Sequence, residues 1–101
     1  MTKVNIKYID NDIKEIIVSG HAGFAKAGED IVCAAISTLV TTTINNILAL
    51  EEEIEVAASD AELKIIVNNI TAVNQSLLTC MKIMLTDLMI DYPKHLKIKE
   101  E

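Results

Sequence analysis

The chain has 101 residues and a formal charge of −6, from nine basic and fifteen acidic side chains. Phosphate binding needs clustered Lys and Arg, and the sequence has no basic stripe, so direct nucleic-acid binding is not expected. Half of the residues are hydrophobic and only 3% are aromatic, so aliphatic side chains must build the core. We expect one folded, soluble domain over residues 1–101.

Targeting signals and cysteine scaffolds are also not expected. No apolar run reaches the roughly 18–20 residues that span a bilayer, and the N-terminus shows no signal-peptide pattern. The two cysteines, Cys33 and Cys80, lie far apart and outside any Cys-x-x-Cys pattern. A disulfide scaffold and a structural zinc site are therefore poorly supported. The sequence predicts a cytoplasmic protein with no membrane segment, no metal and no cofactor.

The first half of the chain predicts a hairpin, a loop and a helix. Alternating apolar residues predict a strand over residues 3–9 and, after a turn at 10–12, a second strand over 13–18. Residues 19–30 show neither the alternation of a strand nor the apolar spacing of a helix, and they are expected to form a loop. Asp30 is typical of a helix N-cap, and apolar residues recur after it at helical spacing. This helix is expected to end at the acidic run 51–53.

The second half repeats the same kinds of pattern. Strands are predicted over residues 53–57 and 63–67, and a second helix over 73–90. Tyr92 and Pro93 end that helix, because the residue before a proline avoids helical dihedral angles. Residues 96–98 alternate again and predict a short final strand. The order ββαββαβ predicts an α+β two-layer sandwich, with two helices on a mainly antiparallel sheet.

Special residues are concentrated between residues 19 and 37, which hold all three glycines, one histidine and one cysteine. Cys33 is expected at the third helical position, where the helix dipole and unused backbone N–H groups favour a thiolate and could stabilise an oxyanion. His21 can fold back onto this helix start as a general base or as an imidazolium partner. Gly23 and Gly28 give the intervening loop the freedom that a lid requires.

Each of these residues also has a simpler structural explanation. A buried cysteine at a helix start often acts as a small hydrophobic side chain, and a loop histidine often bonds a carbonyl group. Asp30 can serve as an N-cap, as a third member of the site, or as both. Ser37, one turn after Cys33, can bond a carbonyl of the preceding turn. The residue pattern alone leaves these alternatives open.

Outside this stretch the structural explanations are favoured. Cys80 stands on the second helix among Leu77, Met81 and Met84, so it is predicted to pack in the core. His95 lies near an exposed end of the chain and is expected to be solvated. The methionines of the second helix are expected to fill the core or an interface.

The spacing of residues 20–37 resembles that of the ribosomal-processing cysteine protease family, Prp. The opening hairpin, the Tyr-Pro pair after the second helix and the terminal strand agree with the same family. The matching residues are Gly20-His21-Ala22 and, after a loop of seven residues that ends at Glu29, Asp30-Ile31-Val32-Cys33-Ala34-Ala35-Ile36-Ser37.

This resemblance implies an α+β fold, a homodimer and a Cys-His endopeptidase. Members remove a short N-terminal extension from one basic large-subunit ribosomal protein of bacteria, the twenty-seventh in the standard naming. The implied partner is therefore the precursor of that ribosomal protein. By position, His21 and Cys33 match the catalytic dyad of the family, and Asp30 and Ser37 match the polar positions beside it.

The family resemblance also covers the loop before the helix. Residues from Gly23 to Gly28 match a segment that is thought to order over the substrate. Phe24 stands in this segment where the family often has a tyrosine, so a hydroxyl contact to the substrate would be missing.

Two other functions are compatible with the sequence. A ribosome-assembly binding module with a structural Cys33 would bind the precursor ribosomal protein without cutting it. A thiol-transfer protein would use Cys33 in redox chemistry and would need a second, resolving cysteine. The predicted burial of Cys80 argues against the thiol-transfer function.

Overall fold

The computed structural model describes residues 1–26 and 28–101. Its element order confirms the predicted ββαββαβ pattern. The elements are β1 (Thr2–Ile9), β2 (Asp12–Ser19), α1 (Ile31–Leu50), β3 (Ile54–Ala58), β4 (Glu62–Val67), α2 (Ala72–Asp91) and β5 (Leu96–Glu100).

The five strands form one sheet in the order β3-β4-β2-β1-β5. Three neighbouring pairs are antiparallel and only β1 and β5 are parallel, so the prediction of a mainly antiparallel sheet is confirmed. Asp10 and Asn11 both have positive φ, at 52° and 69°, in the turn between β1 and β2. These left-handed dihedral angles suit a two-residue hairpin whose twist matches that of the strands.

The core lies between the sheet and the two helices, and its side chains are almost all aliphatic. Fully burying one such side chain contributes roughly 1.5–3 kcal/mol relative to leaving it exposed. The buried residues of α1 recur at helical spacing and are Val32, Ile36, Val40, Ile44 and Ile47. The sheet contributes Val4, Ile6, Ile13, Ile16, Ile54, Ile65, Val67 and Leu96.

By length and composition alone, α1 could cross a membrane, with 20 residues and a mean hydropathy of 1.6. The expectation that no apolar run reaches this length was therefore wrong. In this fold, α1 places its buried residues in the shared core and exposes polar residues that include Thr41, Thr42, Asn45 and Asn46. This two-sided distribution is typical of a helix that packs on a sheet.

A polar network joins the end of α1 to the start of α2. Asn74 is fully buried, and its side chain accepts from the Thr71 N–H (3.2 Å) and donates to Glu51 Oε2 (2.9 Å) and to the Asn69 carbonyl (2.9 Å). The Thr71 hydroxyl donates to the other Glu51 oxygen at 2.6 Å. Because the amide of Asn74 is bonded at both of its polar atoms, a polar residue can occupy a core position.

The prediction that Cys80 packs in the core is wrong, because Cys80 is exposed. Cys80 follows the fully buried Leu78 by two residues, which is about 200° around the helix. Met84, one turn later, is 50% exposed on the same side. Apolar residues occur all round α2, so hydrophobicity did not identify its buried face. That face consists of Asn74, Leu78, Met81 and Leu85.

Candidate active site

The candidate site begins where β2 ends, at Gly20. The Gly20 N–H donates to the Ala61 carbonyl at 2.9 Å, which fixes the start of the loop against the turn between β3 and β4. Gly20 has φ +82°, and a Cβ built on it would lie 2.6 Å from the carbonyl oxygen of Met1. Both the dihedral angle and the close approach of Met1 therefore require glycine at this position.

Asp30 closes the loop and starts α1, as the sequence predicts. Its Oδ1 accepts from the Cys33 N–H at 2.9 Å, and its Oδ2 accepts from the Phe24 N–H at 3.1 Å. The Cys33 N–H, and less strongly the N–H groups of Phe24 and Ala25, hold the pKa of Asp30 below its ordinary value against the opposing effect of desolvation. The carboxylate thus joins the loop to the helix start.

Cys33 is the third residue of α1 and is half-buried. Its Sγ accepts a hydrogen bond from the Ala22 N–H at 3.2 Å. This contact places a backbone donor where negative charge on the sulfur would be stabilised. The N–H groups of Cys33 and Ala34 are bonded to the side chain and the carbonyl of Asp30, so they are less available for an oxyanion than the sequence suggested.

His21 and Cys33 line the same cavity, whose volume is about 520 Å³. In the part of the chain that the structure describes, no hydrogen bond joins the His21 ring to Cys33 Sγ. Ser37 is exposed one turn after Cys33 and also faces this cavity. The lining residues are His21, Gly23, Ala25, Gly28, Asp30, Cys33, Ala34 and Ser37.

A second hollow of about 250 Å³ adjoins the first and shares His21, Cys33 and Ser37 with it. This hollow runs towards the turn between β3 and β4, where Asp60 and Glu62 contribute acidic side chains. Cys33 therefore lines both hollows, which together offer space for a bound chain beside this residue.

Two residues near the end of the chain belong to this region, although sequence reasoning placed neither in it. Phe24 packs edge-on against Tyr92 (ring centroids 5.5 Å apart) and against His95 (5.3 Å). His95 is half-buried, and its Nδ1 lies 3.0 Å from the Ala22 carbonyl oxygen, so the expectation of a solvated His95 was wrong. The small number of aromatic residues was the only signal, since the sole Phe and one of two Tyr meet here.

Most of the residues predicted for the site are therefore brought together. Phe24 differs, because it contacts the segment after α2, where it can position the loop. The roles in catalysis stay predictions. The predicted residues that line the 520 Å³ cavity are His21, Gly23, Gly28, Asp30, Cys33 and Ser37.

Comparison with known sequences identifies the family. The family model described as "Cysteine protease Prp" matches residues 1–97. The chain belongs to the Prp cysteine protease family. The ribosomal processing cysteine protease Prp of Mycoplasma pneumoniae is 40% identical over 53 residues, which are 48% of this chain and 53% of that protein. The chain thus matches about half the length of that curated relative.

The fold is also that of solved Prp structures. The ribosomal processing protease Prp from S. aureus, crystallised in complex with a covalently linked product peptide, superimposes with a TM-score of 0.94 at 25% identity, with both chains fully covered. A structure of the S. aureus protease in complex with a substrate peptide gives a TM-score of 0.84 at 23% identity, again with both chains fully covered. The second comparison supports the fold alone.

Proposed function

We propose that this protein is a cysteine endopeptidase that removes the N-terminal extension of a bacterial large-subunit ribosomal protein, the twenty-seventh in the standard naming. The observation that carries the proposal is Cys33 at the start of α1, with the Ala22 N–H on its sulfur and His21 on the same cavity. Membership of the Prp family and the covalently linked peptide of the S. aureus protease support a covalent step at this cysteine.

The proposed chemistry has two stages. Cys33 Sγ attacks the scissile carbonyl carbon while His21 takes the thiol proton, and that proton then passes to the leaving amine as the C–N bond breaks. Water, deprotonated by His21, attacks the thioester carbon, and the S–C bond breaks to release the carboxyl product. The proton held by His21 returns to the thiolate, which restores the free enzyme.

An extended peptide would lie across the two hollows that meet at Cys33. The carboxylates of Asp60 and Glu62 in the second hollow suit a basic segment of the substrate. The net charge of −6 agrees with a basic partner, since opposite charges speed the encounter of two proteins. Asp30 and Ser37 are proposed to support the dyad, and the segment from Gly23 to Gly28 to cover the substrate.

A cleavage assay with matched cysteine variants tests this proposal. Wild-type protein incubated with a peptide that carries the ribosomal extension should give a single cut, detected by mass spectrometry. Cys33→Ala should lower kcat/KM by at least about a thousandfold, because it removes the nucleophile. Cys80→Ala, which removes the exposed cysteine of α2, should cleave at the wild-type rate.

The outcomes also separate the alternatives. If Cys33→Ala cleaves as fast as the wild type, the assignment is wrong. An unchanged substrate mass with measurable binding would instead indicate a binding module. The exposure of Cys80 removes the argument against thiol transfer. An uncut peptide, together with reduction of a disulfide substrate that is lost in both Cys33→Ala and Cys80→Ala, would favour that function.

We further propose that the protein is a homodimer, as the family resemblance implies. Exposed apolar side chains on the side of α2 that faces away from the core support this proposal, because apolar surface left exposed on a folded chain commonly marks an interface. These are Val73, Ile83, Met84 and Ile90, with exposures of 37%, 53%, 50% and 69%. Cytoplasmic residence and the absence of direct nucleic-acid binding stay predictions from the sequence.

A further inference from the structure

Ala22 is held by hydrogen bonds on both sides of its α-carbon. Its N–H donates to Cys33 Sγ at 3.2 Å, and its carbonyl oxygen lies 3.0 Å from His95 Nδ1. A carbonyl can only accept, so Nδ1 carries the proton in this arrangement. Ala22 is only 1% exposed, so water has little access to either group.

His95 is itself held in place by the rest of the fold. Its N–H donates to the Tyr92 carbonyl at 3.0 Å, and its carbonyl accepts from the Thr2 N–H at 3.0 Å. Its ring also contacts the ring of Phe24 edge-on, at 5.3 Å between centroids. The imidazole is therefore supported by the turn after α2, by the start of β1 and by the loop that it holds.

The loop is fixed at two other points that flank Ala22. The Gly20 N–H is bonded to Ala61, and the Phe24 N–H is bonded to Asp30. Among residues 1–26 and 28–101, no other group bonds the carbonyl of Ala22, so removal of the imidazole would leave a buried backbone group without that partner, which is unfavourable. We expect the segment between these two fixed points to shift so that this carbonyl reaches water. The N–H and the carbonyl of Ala22 belong to neighbouring peptide groups, so a shift of the whole segment would also move the N–H relative to the sulfur.

We propose that His95 is a positioning residue for the nucleophile: the bond from its Nδ1 to the Ala22 carbonyl keeps the Ala22 N–H directed at Cys33 Sγ. In the described part of the chain no hydrogen bond joins His95 to the sulfur, so His95 acts through Ala22. The inference rests on the proposed function of Cys33 as the nucleophile, and it adds a third residue, from the far end of the chain, to the pair His21 and Cys33.

The test compares two replacements of His95, one that keeps an aromatic ring and one that keeps an N–H donor. His95→Phe keeps a ring beside Phe24 and loses the donor, whereas His95→Asn loses the ring and keeps an N–H near the position of Nδ1. Lys94→Ala, in the same exposed turn, is the matched control. All proteins in this test, including the wild-type reference, carry Cys80→Ser, because the exposed Cys80 would otherwise react with the same reagent.

The primary measurement is the rate of Cys33 alkylation by iodoacetamide as a function of pH. At neutral pH, His95→Phe should react roughly three- to tenfold more slowly than the wild type, as expected for the loss of one hydrogen bond. The difference should vanish at alkaline pH, where hydroxide deprotonates thiols in general. His95→Asn and Lys94→Ala should stay within about twofold of the wild type. In the cleavage assay, His95→Phe should lower kcat more than it changes KM.

Thermal unfolding shows whether each variant is folded at the assay temperature. If His95→Phe does not fold, His95→Ala removes the donor without adding bulk and takes its place. The inference is overturned if the donor-free variant reacts as fast as Lys94→Ala at every pH, or if His95→Asn is as slow as the donor-free variant. Because alkylation needs no substrate, this failure is distinct from a failure of the cleavage assay.

Discussion

Asp30 uses its two carboxylate oxygens for two different tasks. One oxygen caps α1 through the Cys33 N–H, and the other fixes the loop through the Phe24 N–H. Both bonds favour the charged form, and they lower the pKa of Asp30. A group with a lowered pKa stabilises the fold above its unfolded pKa, and this contribution is lost as the pH falls through the folded pKa.

Replacing Asp30 by Asn should therefore have a pH-dependent effect. We expect the wild type to have a higher Tm than Asp30→Asn at pH 7, and the gap to narrow as the pH falls below about 4. Thermal unfolding over a series of pH values measures this gap. Asp60→Asn, at an exposed turn carboxylate, is the control and should show a smaller gap at pH 7. If the Tm difference between the wild type and Asp30→Asn stays constant down to pH 2, protonation of Asp30 does not change the stability of the fold.

The position of Asp30 could be predicted, whereas those of Cys80 and His95 could not. An N-cap is a local feature, since a short acceptor side chain precedes a helical pattern directly. Burial on α2 depends instead on which of several apolar faces meets the sheet, and the buried Asn74 is explained only by partners on other elements. The contact of His95 with Ala22 spans 73 positions and has no local signal.

At the scale of elements, the loop between β2 and α1 depends on glycines with different surroundings. Gly20 and Gly28 have positive φ, at +82° and +86°. A Cβ at Gly20 would meet the Met1 carbonyl at 2.6 Å, whereas among the described residues no atom lies within 4 Å of a Cβ at Gly28. Substitution at Gly28 adds only dihedral strain, while substitution at Gly20 also forces backbone atoms apart.

We therefore expect Gly20→Ala to destabilise the protein more than Gly28→Ala. The strain of a left-handed alanine alone is about 1–2 kcal/mol, which is the loss expected for Gly28→Ala. The additional clash in Gly20→Ala should lower the free energy of unfolding further, because the Met1 carbonyl directly precedes β1 and cannot move far without disturbing the start of that strand. Urea denaturation measures both values. Equal losses in the two variants would show that Met1 adjusts freely.

The strands and helices themselves could be predicted from the spacing of apolar residues, but two of the four strand pairings could not. The pairing of β2 with β4 joins strands that are separated in the chain by α1 and β3. Alternation identifies each strand, and the short turns of the two hairpins place β1 beside β2 and β3 beside β4. The parallel pairing of β5 with β1 follows a whole helix, so no turn fixes it. Tyr8 is part of the reason that it forms, since its hydroxyl donates to Glu100 at 2.5 Å and accepts from Lys82 at 3.1 Å.

At the scale of the molecule, the exposed apolar residues of α2 indicate the surface through which two chains would form the proposed homodimer. Met84 is 50% exposed there, and a charge buried without a partner at an interface is strongly unfavourable. We expect the wild type to behave as a dimer of the 11.1 kDa chain and Met84→Asp as a monomer. Asn45→Asp adds the same charge at an exposed position of α1 and should leave the dimer intact.

Size-exclusion chromatography with light scattering gives the masses. A wild-type mass of one chain at high protein concentration would contradict the homodimer. If Met84→Asp is still dimeric, the homodimer proposal stands, but the exposed apolar residues of α2 are not its contact surface.

The approach of Met1 to Gly20 has a practical consequence for producing the protein. Thr2 lines the second hollow, so an affinity tag fused before Met1 would emerge beside the cleft and could occupy it as a peptide. Glu101 pairs with Ile6 and Tyr8 at the other end of β1, and a tag fused there would leave the cleft open. Recombinant protein for kinetic work is therefore best purified through a C-terminal tag.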